Sequence, residues 1–282
     1  MTSSVKPAIP QEIPQASPLT ISVEVDFLGA VRALVRDSVG EGSHPVVVYS
    51  SAFPFMREMR QSNPAAVETL LDTLLEAVGT RTLLMPAFTG GFREGVVDLD
   101  SEPSTTGLLS EAFRHRPGVR RTRSAFFSFS VAGPDADEVL ALAPNDAWGE
   151  GSVYEWMERR DACFLMFGTH PTHCSYLHRF EWLARDVVNY RFDKPFVGAA
   201  MQSGVRSALA ETLYARRLDP PVVNDFTVLL PHLYQAGMRH TVLNGVSVAA
   251  YRAQAILHRI YPSLRQDPLL VVQNRQDYEV KP

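Results

Sequence analysis

Residues 149–181 read GEGSVYEWMERRDACFLMFGTHPTHCSYLHRFE. Within them Cys163-Phe164-Leu165-Met166-Phe167 carries no charged or amide side chain and is stopped by Gly168, the pattern of a short strand buried on both faces. Ahead of it, Gly149-Glu150-Gly151-Ser152 forms a turn that opens an amphipathic run. Behind it a loop rich in His, Thr and Ser leads into Ser175-Tyr176-Leu177-His178-Arg179-Phe180-Glu181. A buried strand fixes position, and the loop after it exposes side chains to a ligand, which is a common way to build a general-base site. His178 and Glu181 are three apart, so on a helix they share one face and the carboxylate can hold the imidazole's orientation. The same spacing also describes an ordinary surface pair.

Working outward, the same alternation repeats. Residues 21–39 place Val25, Leu28, Val31, Leu34 and Val35 at helical spacing and end near Gly40. Pro45-Val46-Val47-Val48-Tyr49 reads as a buried strand, Asn63-Pro64 opens a helix over 65–78, and Thr82-Leu83-Leu84-Met85-Pro86 is the next strand. A helix over 108–115 and a strand over 128–132 follow. Further on, helices are expected over 205–215, 225–236 and 249–259. A strand is expected over 240–243, and 269–272 should be a terminal strand or a packed tail. The expectation is an α/β fold, a layered mixed and largely parallel sheet with flanking helices. No linker composition divides the chain, so 21–282 reads as a single α/β domain. Residues 1–20 hold four prolines and no hydrophobic signal core, and read as a flexible tail.

With 282 residues and 45% hydrophobic content, the chain can bury a substantial core. A formal charge of −4 gives no electrostatic footprint for nucleic acid. No run approaches the ~18 consecutive apolar residues of a membrane span. Two cysteines, Cys163 and Cys174, make no disulfide framework and read as reduced thiols of a cytoplasmic protein.

Gly-Glu-Gly-Ser, a hydrophobic strand ending in Gly, and Ser-x-x-His-x-x-Glu resemble the central signature of the aminoglycoside 3-N-acetyltransferase (antibiotic N-acetyltransferase) family, which has Thr where this chain has Ser175. The resemblance continues outside this stretch. Tyr49-Ser50-Ser51-Ala52 matches a His-Ser-Ser-Leu-like motif that lies against coenzyme A, with Tyr in place of His. Gly79, Thr82 and Met85-Pro86-Ala87-Phe88-Thr89 match a further run, and Pro103-Ser104-Thr105-Thr106-Gly107 resembles the family's Thr-Pro-Ser…Gly segment. Where the family carries Arg-Ser-x-His-Pro-x-x-Ser to help hold the cofactor, this chain has Arg121-Thr122-Arg123-Ser124-Ala125-Phe126-Phe127-Ser128, without the His-Pro pair.

The resemblance implies an N-acyltransferase moving an acyl group from acetyl-CoA or another acyl thioester to a small-molecule amine, and the missing His-Pro pair leaves open a donor carried on an acyl carrier protein. The pathway would be biosynthetic or antibiotic-modifying. His178 would be the general base, Glu181 its orienting partner, and Ser175 a donor to the thioester oxygen or a support for the ring. Ser50, Ser51, Thr105, Gly107, Arg121, Thr122 and Ser128 would line the cofactor, with Arg121 and Arg123 meeting its phosphates. The resemblance implies no metal. Three other readings stay open on the residues: a metal-dependent enzyme using His170, His173 and His178, Cys174 as a thiol nucleophile, and a binding or scaffold protein that has lost its cofactor site.

Overall fold

The computed structural model describes residues 26–90, 92, 95–143 and 145–278, together with the backbone of 17–19. Its strands are β1 (Ser17–Leu19), β2 (Val46–Ser50), β3 (Leu83–Pro86), β4 (Val96–Asp98), β5 (Arg120–Arg121), β6 (Phe129–Ala132), β7 (Cys163–Phe167), β8 (Arg191–Gln202), β9 (Val205–Arg216), β10 (Arg239–Leu243) and β11 (Val246–Arg252). Its helices are α1 (Phe27–Val39), α2 (Phe53–Met59), α3 (Pro64–Val78), α4 (Leu108–Arg114), α5 (Ala136–Leu140), α6 (Val153–Arg159), α7 (Leu177–Leu183), α8 (Leu230–Gln235) and α9 (Ala253–Gln266).

The expected mixed α/β sheet has eight strands in the order β1-β10-β11-β7-β2-β3-β6-β5. Its centre, β7-β2-β3, is parallel, and antiparallel strands β11 and β6 flank it. The apolar reading of β7 has a direct cause, because every one of its residues is buried and alternate side chains enter two different cores. Phe164 and Met166 pack with Val47, Tyr49 and Leu84 under α6, α7 and α9. Cys163, Leu165 and Phe167 pack with Val46, Val48, Leu83 and Met85 under α1, α3 and α4. Register pairs Ser50 with Phe167, so the loops after β2 and β7 leave the sheet side by side. Ligand loops of parallel strands gather at such an edge.

Local signals account for the helix starts. Asn63 accepts a hydrogen bond from Ala66 N at 2.9 Å, with Pro64 in the first turn of α3. Ser152 accepts from Glu155 N at 3.1 Å, and Glu155 Oε2 in turn accepts from Gly151 N, which closes the Gly-Glu-Gly-Ser turn onto α6.

Several expectations are corrected. Residues 205–215 form strand β9, not a helix, and pair along twelve residues with β8 in a second sheet, β4-β8-β9. The turn between them is Ser203-Gly204, both at positive φ (52° and 72°), the backbone of a two-residue hairpin. Cross-strand pairing here overrides the helix propensity of Ala, Leu and Glu in β9. The helix expected over 249–259 begins at Ala253, because residues 246–252 are β11. Residues 269–272 are a packed tail, as one of the two expectations had it, held by the bridge of Asn224 to Val272 and by hydrogen bonds from Asp225 N and Asn224 Nδ2 to Val271 O. The expected tail, 1–20, lies outside the described residues except for the backbone of 17–19, which pairs as β1 with β10. Among the described residues no helix is long and apolar enough to cross a membrane.

Candidate active site

The loop after β7 turns at Gly168 (φ 73°), where a Cβ would stand 2.4 Å from Ser51 O and 2.6 Å from the Phe55 ring. That close approach lets the loops after β2 and β7 share one wall. The chain then enters α7, whose second residue is His178 and whose fifth is Glu181.

Glu181 is 1% exposed, and its Oε2 lies 2.6 Å from His178 Nδ1. Tyr190 Oη donates to Glu181 Oε1 at 2.8 Å. Arg191, the first residue of β8, brings Nε to 2.9 Å of the same oxygen, an ion pair whose N–H is not aligned as a hydrogen bond. Burial alone would push the Glu181 carboxyl up, but Arg191 and His178 outweigh it and hold it at about 2. An ionised Glu181 therefore accepts from Nδ1–H, and this sets the tautomer in which Nε2 is the basic nitrogen. Arg191 Nη2 stands 2.9 Å from the same Nδ1, and with Nδ1–H directed at Glu181 this is a close contact of two donors, not a hydrogen bond. Burial first, and Arg191 second, lower the His178 pKa from its ordinary value against the pull of Glu181. The imidazole is thus neutral near pH 7, while 29% of its side chain stays accessible. Phe226 and Trp148 meet its ring edge-on at centroid distances of 4.9 and 6.0 Å.

His178 opens into a cavity of about 420 Å³ lined also by Tyr49, Ser50, Pro86, Phe88, Thr106, Thr169, Thr172, His173, Cys174, Ser175 and Phe226. Ser175 Oγ stands 2.6 Å from both Tyr49 Oη and Tyr154 Oη. Ser50 Oγ is buried and has no hydrogen-bond partner among the described residues. No carboxylate is among the described residues of this lining.

The structure brings His178, Glu181, Ser175 and Ser50 together, and it separates the rest of the expected set. Ser51 and Gly107 are outside the lining, although Gly107 comes close to Ser50 O. Thr105 is exposed and hydrogen-bonds Phe88 O, and it is the neighbouring Thr106 that faces the cavity. Arg121 is corrected outright. It is buried, and four of its five N–H groups donate within the protein, to Ala87 O, Leu99 O, Glu102 O and Ser128 Oγ. Ser128 and Thr122 are buried with it, Ser128 donating to Ala87 O and Thr122 accepting from Phe129 N, so all three make hydrogen bonds that staple β5 and β6. Arg123 donates to Ser207 Oγ and Ala208 O on β9.

The histidine cluster does not assemble. His170 Nδ1 meets Thr172 Oγ1 at 2.8 Å and His173 Nδ1 meets Thr169 Oγ1 at 3.0 Å. Among the described residues no three His, Cys, Asp or Glu side chains converge as a metal-ligand set. Cys174 is buried, and burial pushes its thiol up to about 12, the reverse of an activated nucleophile. Four contributors escaped sequence reasoning: Tyr154, Thr106, Tyr190 and Arg191. For Arg191 no local signal exists, since it reaches the site from a strand in the second sheet.

The aminoglycoside 3-N-acetyltransferase family profile matches residues 56–261. Among solved structures, the aminoglycoside acetyltransferase AAC(3)-Xa superposes with a TM-score of 0.70 at 18% identity, covering 88% of this chain and 93% of that one. Sisomicin-bound AAC-VIa gives 0.68 at 19% identity, with coverages of 85% and 97%. AAC-IIIb in binary complex with CoASH gives 0.65 at 18% identity, with coverages of 83% and 96%. A search of curated proteins finds no match.

Proposed function

The chain belongs to the aminoglycoside 3-N-acetyltransferase family, a family of amide-forming acyltransferases, and on that premise we propose that it acylates a small-molecule amine from a coenzyme A thioester with His178 as general base. The observation that carries this reading is the 2.6 Å contact between His178 Nδ1 and a buried, ionised Glu181, beside an open cavity. His178 Nε2 takes a proton from the attacking amine as nitrogen bonds to the thioester carbonyl carbon. The carbonyl π electrons move onto oxygen, where the Ser175 hydroxyl donates a hydrogen bond. When the tetrahedral species collapses the C–S bond breaks, and the leaving thiolate takes the proton back from the imidazolium. The products are an amide and a free thiol.

A solved relative holds CoASH, which supports coenzyme A as the donor carrier here. Ser50, whose Oγ has no partner among the described residues, and Thr106 are the polar groups we assign to the donor side of the cavity. Solved relatives hold sisomicin, gentamicin or apramycin. A polycationic acceptor calls for acidic walls, and here the lining lacks carboxylates among the described residues. Asp98 caps its own turn through Asp100 N and Ser101 N, and Glu155 closes the start of α6, so neither carboxylate faces this cavity. That arrangement favours an acceptor of low positive charge, such as an amino sugar or a biosynthetic amine. A mass-spectrometric screen decides. Acetyl-CoA and carrier-bound thioesters are each paired with aminoglycosides, amino sugars and amino acids. Amide formation with a mono-amine acceptor is the expected result. Efficient acetylation of an aminoglycoside alone would overturn the acceptor class, and no acyl transfer with any pair would overturn the enzyme reading.

A further inference from the structure

Ser175 occupies an unusual hydrogen-bonding position. A serine hydroxyl has one proton and two lone-pair positions. Two phenols, Tyr49 at the end of β2 and Tyr154 in α6, each stand 2.6 Å from its Oγ. Both are deeply buried, at 7% and 1% exposure. Burial holds both phenols above their ordinary pKa, so both keep their protons. A buried phenol O–H needs an acceptor, and Ser175 Oγ is the oxygen the two phenols share at hydrogen-bond length, with Tyr154 and Cys174 as further polar neighbours of Tyr49. Either atom of each pair can donate; with each phenol as the donor of its pair, two protons fill both lone pairs of Ser175 Oγ, and the serine's own proton is left to point elsewhere. Ser175 and Tyr49 both line the cavity beside His178.

We propose that Tyr49 and Tyr154 are positioning residues that orient the Ser175 hydroxyl as a one-proton donor to the oxygen of the acyl group under attack. Two acceptor positions filled by the clamp leave the hydroxyl able only to donate, which is the preorganisation that stabilises developing negative charge without reorganisation. No proton changes hands at Ser175, and the transferred proton travels by way of His178. The inference rests on the acyl-transfer reading above, although the clamp and the base are separable.

The test is a double-mutant cycle on kcat at saturating acetyl-CoA and acceptor. Ser175→Ala removes the donor and should lower kcat by ~10²-fold, within the range for loss of one such donor. Ser175→Thr keeps the hydroxyl and should restore most of the rate. Tyr49→Phe and Tyr154→Phe each delete one oxygen and leave the ring, and each should lower kcat by roughly tenfold, a fraction of the cost of losing the donor itself. Neither should change the KM for donor or the acid limb of the pH profile. In the Ser175→Ala background, Tyr49→Phe should cost nothing further, because there is no hydroxyl left to orient. Full kcat in Tyr49→Phe with Tyr154→Phe, an equal fold loss with and without Ser175, or an effect confined to KM would each overturn the clamp. Should Tyr49→Phe fail to fold, Tyr154→Phe carries the same cycle. His178→Ala run alongside separates the two ideas. If it keeps turnover, the base reading fails while the cycle still decides the clamp. If it loses turnover and the cycle is additive, the clamp fails and the base stands.

Discussion

At the scale of the residue, His178 sits between a cation and an anion that pull its pKa in opposite directions. Burial and Arg191 lower it below the ordinary 6.5, and Glu181 raises it. The acid limb of the activity profile should therefore lie below pH 6.5, the range in which His178 loses its proton and becomes a base. Arg191→Gln removes a lowering influence, so that limb should move to higher pH. Glu181→Gln removes a raising one, so it should move to lower pH while kcat falls. Profiles of kcat/KM for the three proteins check both signs, and shifts in the same direction would contradict the electrostatic account. Glu181 also links stability to pH. Its folded carboxyl is held at about 2 against an ordinary 4.5, so the stability it contributes is fully present above 4.5 and is lost as pH falls towards 2. The stability difference between wild type and Glu181→Gln should narrow across that window in urea titrations.

At the scale of the element, the β7–α7 junction carries the site, and Gly168 is its tightest point. A Cβ there meets backbone at 2.4 Å and would sit at a φ of 73°. Gly168→Ala should destabilise the fold by more than ~1 kcal/mol and lower kcat as well, since the displaced loop leads directly to Ser175 and His178. Thermal melts with parallel kinetics test this, and a wild-type melt with wild-type kcat would contradict it. Ser152→Ala at the start of α6 should cost about 1 kcal/mol, the usual value of a side-chain cap. The legible elements were those whose apolar pattern answers to one dominant environment. β7 was read to the residue, because both of its faces are buried. The β8–β9 hairpin is not legible as strands, because its twelve-residue arms are half exposed and β9 is rich in helix formers. The Ser203-Gly204 turn was the one local signal that could have revealed it.

At the scale of the whole molecule, the site joins two sheets. His178 and Glu181 come from the loop side of the eight-stranded sheet, and Arg191 arrives from the three-stranded one. The i, i+3 dyad was visible in the sequence because its geometry is local to one helix. Arg191 and Tyr154 were not visible, since each meets the site through packing over long separations. Arg121 shows the opposite error. A motif matched by residue type marked it for phosphate, whereas the fold buries it and turns three of its N–H groups to carbonyl oxygens and a fourth to Ser128 Oγ. The central claim is that His178 is the base of an acyl transfer, and one comparison tests it most directly. Turnover of acetyl-CoA and a mono-amine acceptor is measured for wild type and His178→Ala, with CoA affinity of both measured by calorimetry. A loss of ~10²–10⁴-fold in kcat with CoA affinity unchanged is the predicted result, and near-normal turnover in His178→Ala would contradict it.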